Sequence, residues 1–161
     1  MRVSIRAGFG LMAFSSVALV VAGLGLGELL KLHPCPLCIF QRLLYLVVAL
    51  LALGGAVLPT WHRLWGSLTG LAAAGGVATA AYQSWLQFAP EASNECGFGE
   101  PTLIERLVDW LGMQWPDMFM ATGFCSSKEW VFLGLSMANW SILCFAGFLA
   151  AATLLAVQRR G

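Results

Sequence analysis

Four mostly apolar stretches, at about residues 7–30, 39–58, 64–88 and 131–157, constrain this chain more than any other feature. Each is long enough to cross the roughly 30 Å of bilayer hydrocarbon, which takes about 20 helical residues. Backbone N–H and C=O groups find no water there, so a spanning segment must pair them internally, as a helix does. Composition agrees, since 59% of the 161 residues are hydrophobic and only 11% are charged. The expected fold is an all-α membrane protein, a four-helix transmembrane bundle in a single membrane domain over residues 1–161. Connections at about 31–38 and around Pro59-Thr60-Trp61-His62-Arg63 are short, which makes consecutive spans antiparallel neighbours. The first stretch exceeds the 7–15 apolar residues of a signal-peptide core and reads as a retained span.

The net charge of +1 argues against a nucleic-acid partner. Its distribution says more. Arg2, Arg6, Arg63, Arg159 and Arg160 gather on one side of the spans. The loop at about 89–130 on the other side is acidic, with Glu91, Glu95, Glu100, Glu105, Asp109, Asp117 and Glu129. Positive residues mark the inner side, so both termini are expected in the cytoplasm. Residues 90–101 of that loop are rich in breakers. Beyond them, Leu103, Ile104, Leu107, Val108 and Leu111 recur at helical spacing opposite Glu105, Arg106 and Asp109. This predicts a short amphipathic helix, burying its apolar face either in the membrane interface or against protein.

Five cysteines remain, and this topology puts four of them, Cys35, Cys38, Cys96 and Cys125, on the outer side. In an oxidising compartment four cysteines read first as two pairs. Pro36 suits the first position of a helix, which puts Cys38 in its first turn, where the helix dipole stabilises a thiolate. Arg42 lies four residues on, along the same face. Its guanidinium can steady a thiolate or donate to a ligand oxygen, or simply snorkel to headgroups. Cys96 and Cys125 bracket the amphipathic segment. As an inert staple they would contribute about 3–4 kcal/mol on the chain-entropy model; as an exchangeable disulfide they would meet a partner thiolate. A zinc cage of all four is disfavoured by the wide spacing of the second pair. Cys144, inside the fourth span, reads as a small buried apolar residue. Glu28, Gln83 and Gln87 lie near outer ends of spans, where they could assist proton transfer or ligand contacts, interfacial snorkelling or helix packing being their ordinary role.

Two segments carry a family resemblance: Cys35-Pro36-Leu37-Cys38-Ile39-Phe40-Gln41-Arg42, and the run from Cys125 through Trp130 and Gly134 to Trp140. They resemble the DsbB family of bacterial inner-membrane oxidoreductases, and in topology the resemblance covers nearly the whole chain. It implies a quinone-dependent thiol oxidase, using ubiquinone or menaquinone, that reoxidises a periplasmic DsbA-like partner from within the membrane lipid. By position, Cys96 would be the cysteine attacked by the partner and Cys125 its mate, able to engage Cys35. Cys38 would lie next to quinone and Arg42 would bind it, with Cys35–Cys38 and Cys96–Cys125 as the resting disulfides. Pro36 departs from the Val-containing form of the motif. A vitamin K epoxide reductase-like protein is the enzymatic rival, but that family places its membrane-proximal Cys-x-x-Cys late in the bundle. A non-catalytic subunit with two structural disulfides would have little need for Arg42 beneath Cys38.

Overall fold

The computed structural model describes residues 4–88, 102–123, 125–126 and 130–158. In chain order its elements are α1 (Ile5–Leu30), α2 (Pro36–Val57), a 3-10 turn (Pro59–Trp61), α3 (His62–Phe88), α4 (Leu103–Gln114) and the single turn α5 (Pro116–Phe119). A hairpin of β1 (Val131–Phe132) and β2 (Leu135–Ser136) then leads into α6 (Met137–Val157). The protein is all-helical apart from this hairpin, and α1, α2, α3 and α6 are each long and apolar enough to cross a membrane.

Local chemistry sets the turns between helices. α1 stops where Lys31 adopts the left-handed conformation at φ 48°, and the N–H groups of Lys31 and Leu32 return to Gly27 O. Pro36 then opens α2 at the position where its missing N–H costs nothing. At the far end, Pro59 starts the tight turn into α3. The His62 ring lies between the carbonyl oxygens of Pro59 and Gln158, 3.2 Å from each, which ties the starts and ends of the spans together there.

The core runs along the bundle axis through Phe9, Met12 and Val20 of α1, Tyr45 and Val48 of α2, Ala73 of α3, and Phe145 and Phe148 of α6. The Tyr45 and Phe145 rings stack at 4.0 Å, and Ser16 Oγ donates to Tyr45 O at 2.7 Å. α3 approaches α6 on its small residues. A methyl added at Gly66 would press on Ala152 O and Ala156, and one at Gly76 would enter the Phe145 ring. A methyl at Gly23 of α1 would meet only open space. Large apolar side chains such as Phe14, Leu71 and Leu154 point outward and are more than two-thirds exposed, as expected of helices facing lipid rather than water.

The fourth long helix begins at Met137, six residues later than the apolar run predicts. Val131 pairs with Ser136 and Phe132 with Leu135 across a two-residue turn in which Leu133 (φ 52°) and Gly134 (φ 78°) are both left-handed. Trp140 Nε1 donates to Phe132 O, pinning the hairpin to α6. Between the third and fourth spans lies the predicted amphipathic helix, α4. Thr102 caps it, accepting from Glu105 N while Glu105 Oε2 accepts from Thr102 N at 2.7 Å. Val108 and Leu111 bury against Ile39 of α2, whereas Leu103, Leu107 and Trp110 stay exposed. The helix therefore docks on protein along one row and leaves a second apolar row exposed.

Candidate functional site

The first two sulfurs of the site are placed by the start of α2. Cys35 is the N-cap, and its sulfur accepts from Cys38 N at 3.3 Å. The turn that follows folds Cys38 back so that the two sulfurs lie 3.1 Å apart. Cys35 is buried and Cys38 half-buried.

The third sulfur arrives from far along the chain. Thr122 N and Gly123 N both donate to Pro34 O, at 2.9 and 3.1 Å, laying the segment before Cys125 alongside the residues before Cys35. Only glycine fits at 123, because any Cβ there would overlap the His33 carbonyl. Cys125 is thereby buried with Cys35, Leu37 and Leu86. The thiols of Cys35 and Cys125 hydrogen-bond each other, and Leu37 N–H also points at Cys125. Their ionisation is split as a result. Cys125, accepting from Cys35 and from the backbone, is held below the ordinary thiol value despite its burial. Cys35 is pushed well above it, because it gives its proton first to Cys125 and then to Cys38, and because it is buried.

On the other side of Cys38 a cavity of about 290 Å³ opens between α1, α2, α3 and α6. Cys38 and Arg42 border it, Leu19, Gly23 and Leu26 supply its apolar wall, and Cys144 lines its α6 side. Arg42 is half-buried, and its Nη1 donates to Met118 O at 3.3 Å. A methyl at Gly27 would come within 3.7 Å of its other terminal nitrogen, so the small residue keeps that face of the guanidinium open.

The structure thus brings together Cys35, Cys38, Cys125 and Arg42; Cys96 lies outside the described residues. It also links Gln83, named from the sequence only as a span-end residue, to Gln41, which the sequence reading did not single out. Gln83 Nε2 donates to Cys38 Sγ at 3.0 Å and to Cys35 Sγ at 3.4 Å, and Gln41 Nε2 donates to Gln83 Oε1 at 2.6 Å. Both glutamines are buried. The available signal was the presence of two amides inside apolar spans, a costly placement that marks function in membranes.

Sulfurs in mutual contact at one mouth of a membrane-crossing bundle, beside an apolar cavity with a cation, define a membrane oxidoreductase of thiols and disulfides. Comparison with known proteins makes this specific. The family described as disulfide bond formation protein DsbB matches residues 5–155. A protein named disulfide bond formation protein B from Dechloromonas aromatica (strain RCB) is 52% identical over 158 residues, covering 98% of this chain and 96% of the relative. Its namesake from Azoarcus sp. (strain BH72) is 40% identical over 143 residues, covering 87% and 82%. The chain belongs to the DsbB family and is a membrane oxidoreductase of disulfide bond formation.

Proposed function

We propose that this protein oxidises a periplasmic DsbA-type thiol oxidase by disulfide exchange and delivers the electrons to membrane quinone. It would lie in the bacterial inner membrane with both termini cytoplasmic, as the distribution of Arg2, Arg6, Arg63, Arg159 and Arg160 favours. The observation that carries the reading is the central position of Cys35, in contact with Cys125 on one side and Cys38 on the other, with the cavity beyond.

The chain's residues divide the work as follows. A partner thiolate attacks Cys96, and Cys125 leaves as a thiolate; a leaving group of low pKa departs faster. Cys125 then attacks Cys35 of a Cys35–Cys38 disulfide, and Cys38 leaves as a thiolate beside Arg42. When the partner's second thiol resolves the mixed disulfide, its two thiols have become a disulfide and this chain has gained two electrons and two protons. The lining suits a quinone: it is apolar on α1, and Arg42 offers N–H donors to a carbonyl oxygen. Quinone, when bound, supplies an acceptor for two electrons and two protons. Arg42 and the apolar wall would hold and orient it, and Cys38 would face it.

The test mixes purified protein with a reduced DsbA-type protein and a short-chain quinone and follows quinone absorbance. Thiol-dependent reduction is expected; its absence with folded protein would sink the reading. In the same assay Cys96→Ala should abolish capture of the partner, and capture at the wild-type rate would show that the wrong cysteine has been assigned.

A further inference from the structure

Two buried glutamines from different helices meet in the apolar bundle, and their amides are chained rather than merely paired. Gln41 Nε2 donates to Gln83 Oε1 at 2.6 Å, which commits the only acceptor atom of Gln83. The N–H edge of Gln83 is therefore turned toward the sulfurs, 3.0 Å from Cys38 and 3.4 Å from Cys35. Ordinary helix association would be served by the first of these bonds alone. Burying an amide costs free energy unless both its ends are satisfied, and a neutral thiol is a poor acceptor. A thiolate is a good one, since hydrogen bonds to charged groups are worth about 1.5–3 kcal/mol against about 1 for neutral ones.

We propose that Gln41 and Gln83 form a positioning pair, in which Gln41 fixes the orientation of the Gln83 amide so that it donates to Cys38 when Cys38 becomes a thiolate. Among the described residues, the other groups facing Cys38 are Cys35, which also donates to it, Arg42 one turn on, and Cys125 beyond Cys35. Arg42 supplies charge; Gln83 supplies a directed hydrogen bond from the opposite helix. Gln41 acts through its hydrogen bond to Gln83. The pair rests on the reading of Cys38 as the electron-donating thiolate.

The experiment needs neither partner nor quinone, so its failure is distinguishable from failure of the oxidase reading. Fully reduced, quinone-stripped protein is treated with iodoacetamide across pH 6–10, and the rate at Cys38 is read by tandem mass spectrometry. Losing the bond lowers the thiolate fraction near neutrality by about tenfold or more. The thiolate that forms is intrinsically more nucleophilic, which returns about half of that effect on a logarithmic scale. Gln83→Met should therefore react about threefold or more slowly than wild type at pH 7, yet about threefold faster at pH 10. Gln83→Glu, which keeps the shape and, once ionised, replaces the N–H donor by an acceptor, should be slower at pH 7 as well. Gln41→Met should show the same crossing in weaker form. A loosened structure would instead raise the rate at every pH. That result, or parallel unshifted profiles for both Gln83 variants, would overturn the proposal; a Gln41→Met profile identical to wild type would overturn the role of Gln41.

Discussion

Gly123→Ala should release Cys125 from its buried place next to Cys35. The segment before Cys125 is held by two backbone hydrogen bonds from Thr122 and Gly123 to Pro34 O, at 2.9 and 3.1 Å. A methyl at 123 would overlap the carbonyl oxygen of His33, so the segment must back away and both bonds lengthen. At a net value near 1 kcal/mol each, the docked arrangement loses about 2 kcal/mol, and the opened population rises about thirtyfold. Cys125 is 4% exposed when docked, so a bulky maleimide can react only through opening. While opening is rare, the labelling rate scales with the open population whatever the absolute stability of docking. The assay is maleimide labelling of Cys125 in reduced protein near pH 9, where thiolate formation does not limit the rate, with quantification by mass spectrometry. Gly10→Ala, whose added methyl meets nothing within 4 Å, controls for general loosening. A Gly123→Ala rate within twofold of wild type would refute the account of how Cys125 is held at Cys35.

Three further outcomes are expected. Arg42→His should weaken apparent quinone affinity by more than it slows exchange with the partner, as judged from quinone titrations and single-turnover thiol exchange; equal losses would count against Arg42 as the cavity's ligand. Cys125 binds fewer protons folded than unfolded, so its stabilisation is complete above the free-thiol value of about 8.5 and fades as pH falls through its lowered folded value. Cys35 runs the other way: its contribution is complete below about 8.5 and fades as pH rises through its raised value. Profiles of alkylation against pH should accordingly show Cys125 ionising before Cys35, and the reverse order would refute the assigned direction of their hydrogen bond. Gly76→Val should cost about 1–3 kcal/mol or more by forcing α3 off the Phe145 ring, measured by denaturant titration in mixed micelles; a neutral result would mean that α3 and α6 do not pack as described.

Much of the architecture was legible because it follows from local chemistry. Bilayer thickness turns four apolar runs into helices, and Pro36 marks the start of the second so that Cys38 and Arg42 share a face one turn apart. The periodic segment from Leu103 to Leu111 announces α4 in the same way. The hairpin before Met137 was hidden, because Val131, Phe132, Leu133 and Leu135 are as apolar as the helix they precede. Only left-handed Leu133 and Gly134, fixed by pairing and by the Trp140 contact, divide the two. For α4 the pattern defined an apolar face but not what would cover it, since lipid and protein bury the same side chains.

By itself the sequence determined that this chain crosses a membrane and carries a Cys-x-x-Cys pair at the mouth of a span with a cation beneath it. Tertiary structure alone decided that Cys125 meets Cys35, that Gln83 reaches Cys38, and that a cavity opens beside Arg42. The reason is physical. Spacing along one helix sets which of its own residues are neighbours, but contacts across 42 to 90 positions depend on the register in which helices and loops dock. Here that register is set by close approach at Gly66, Gly76 and Gly123 and by hydrogen bonds to a single carbonyl, Pro34 O.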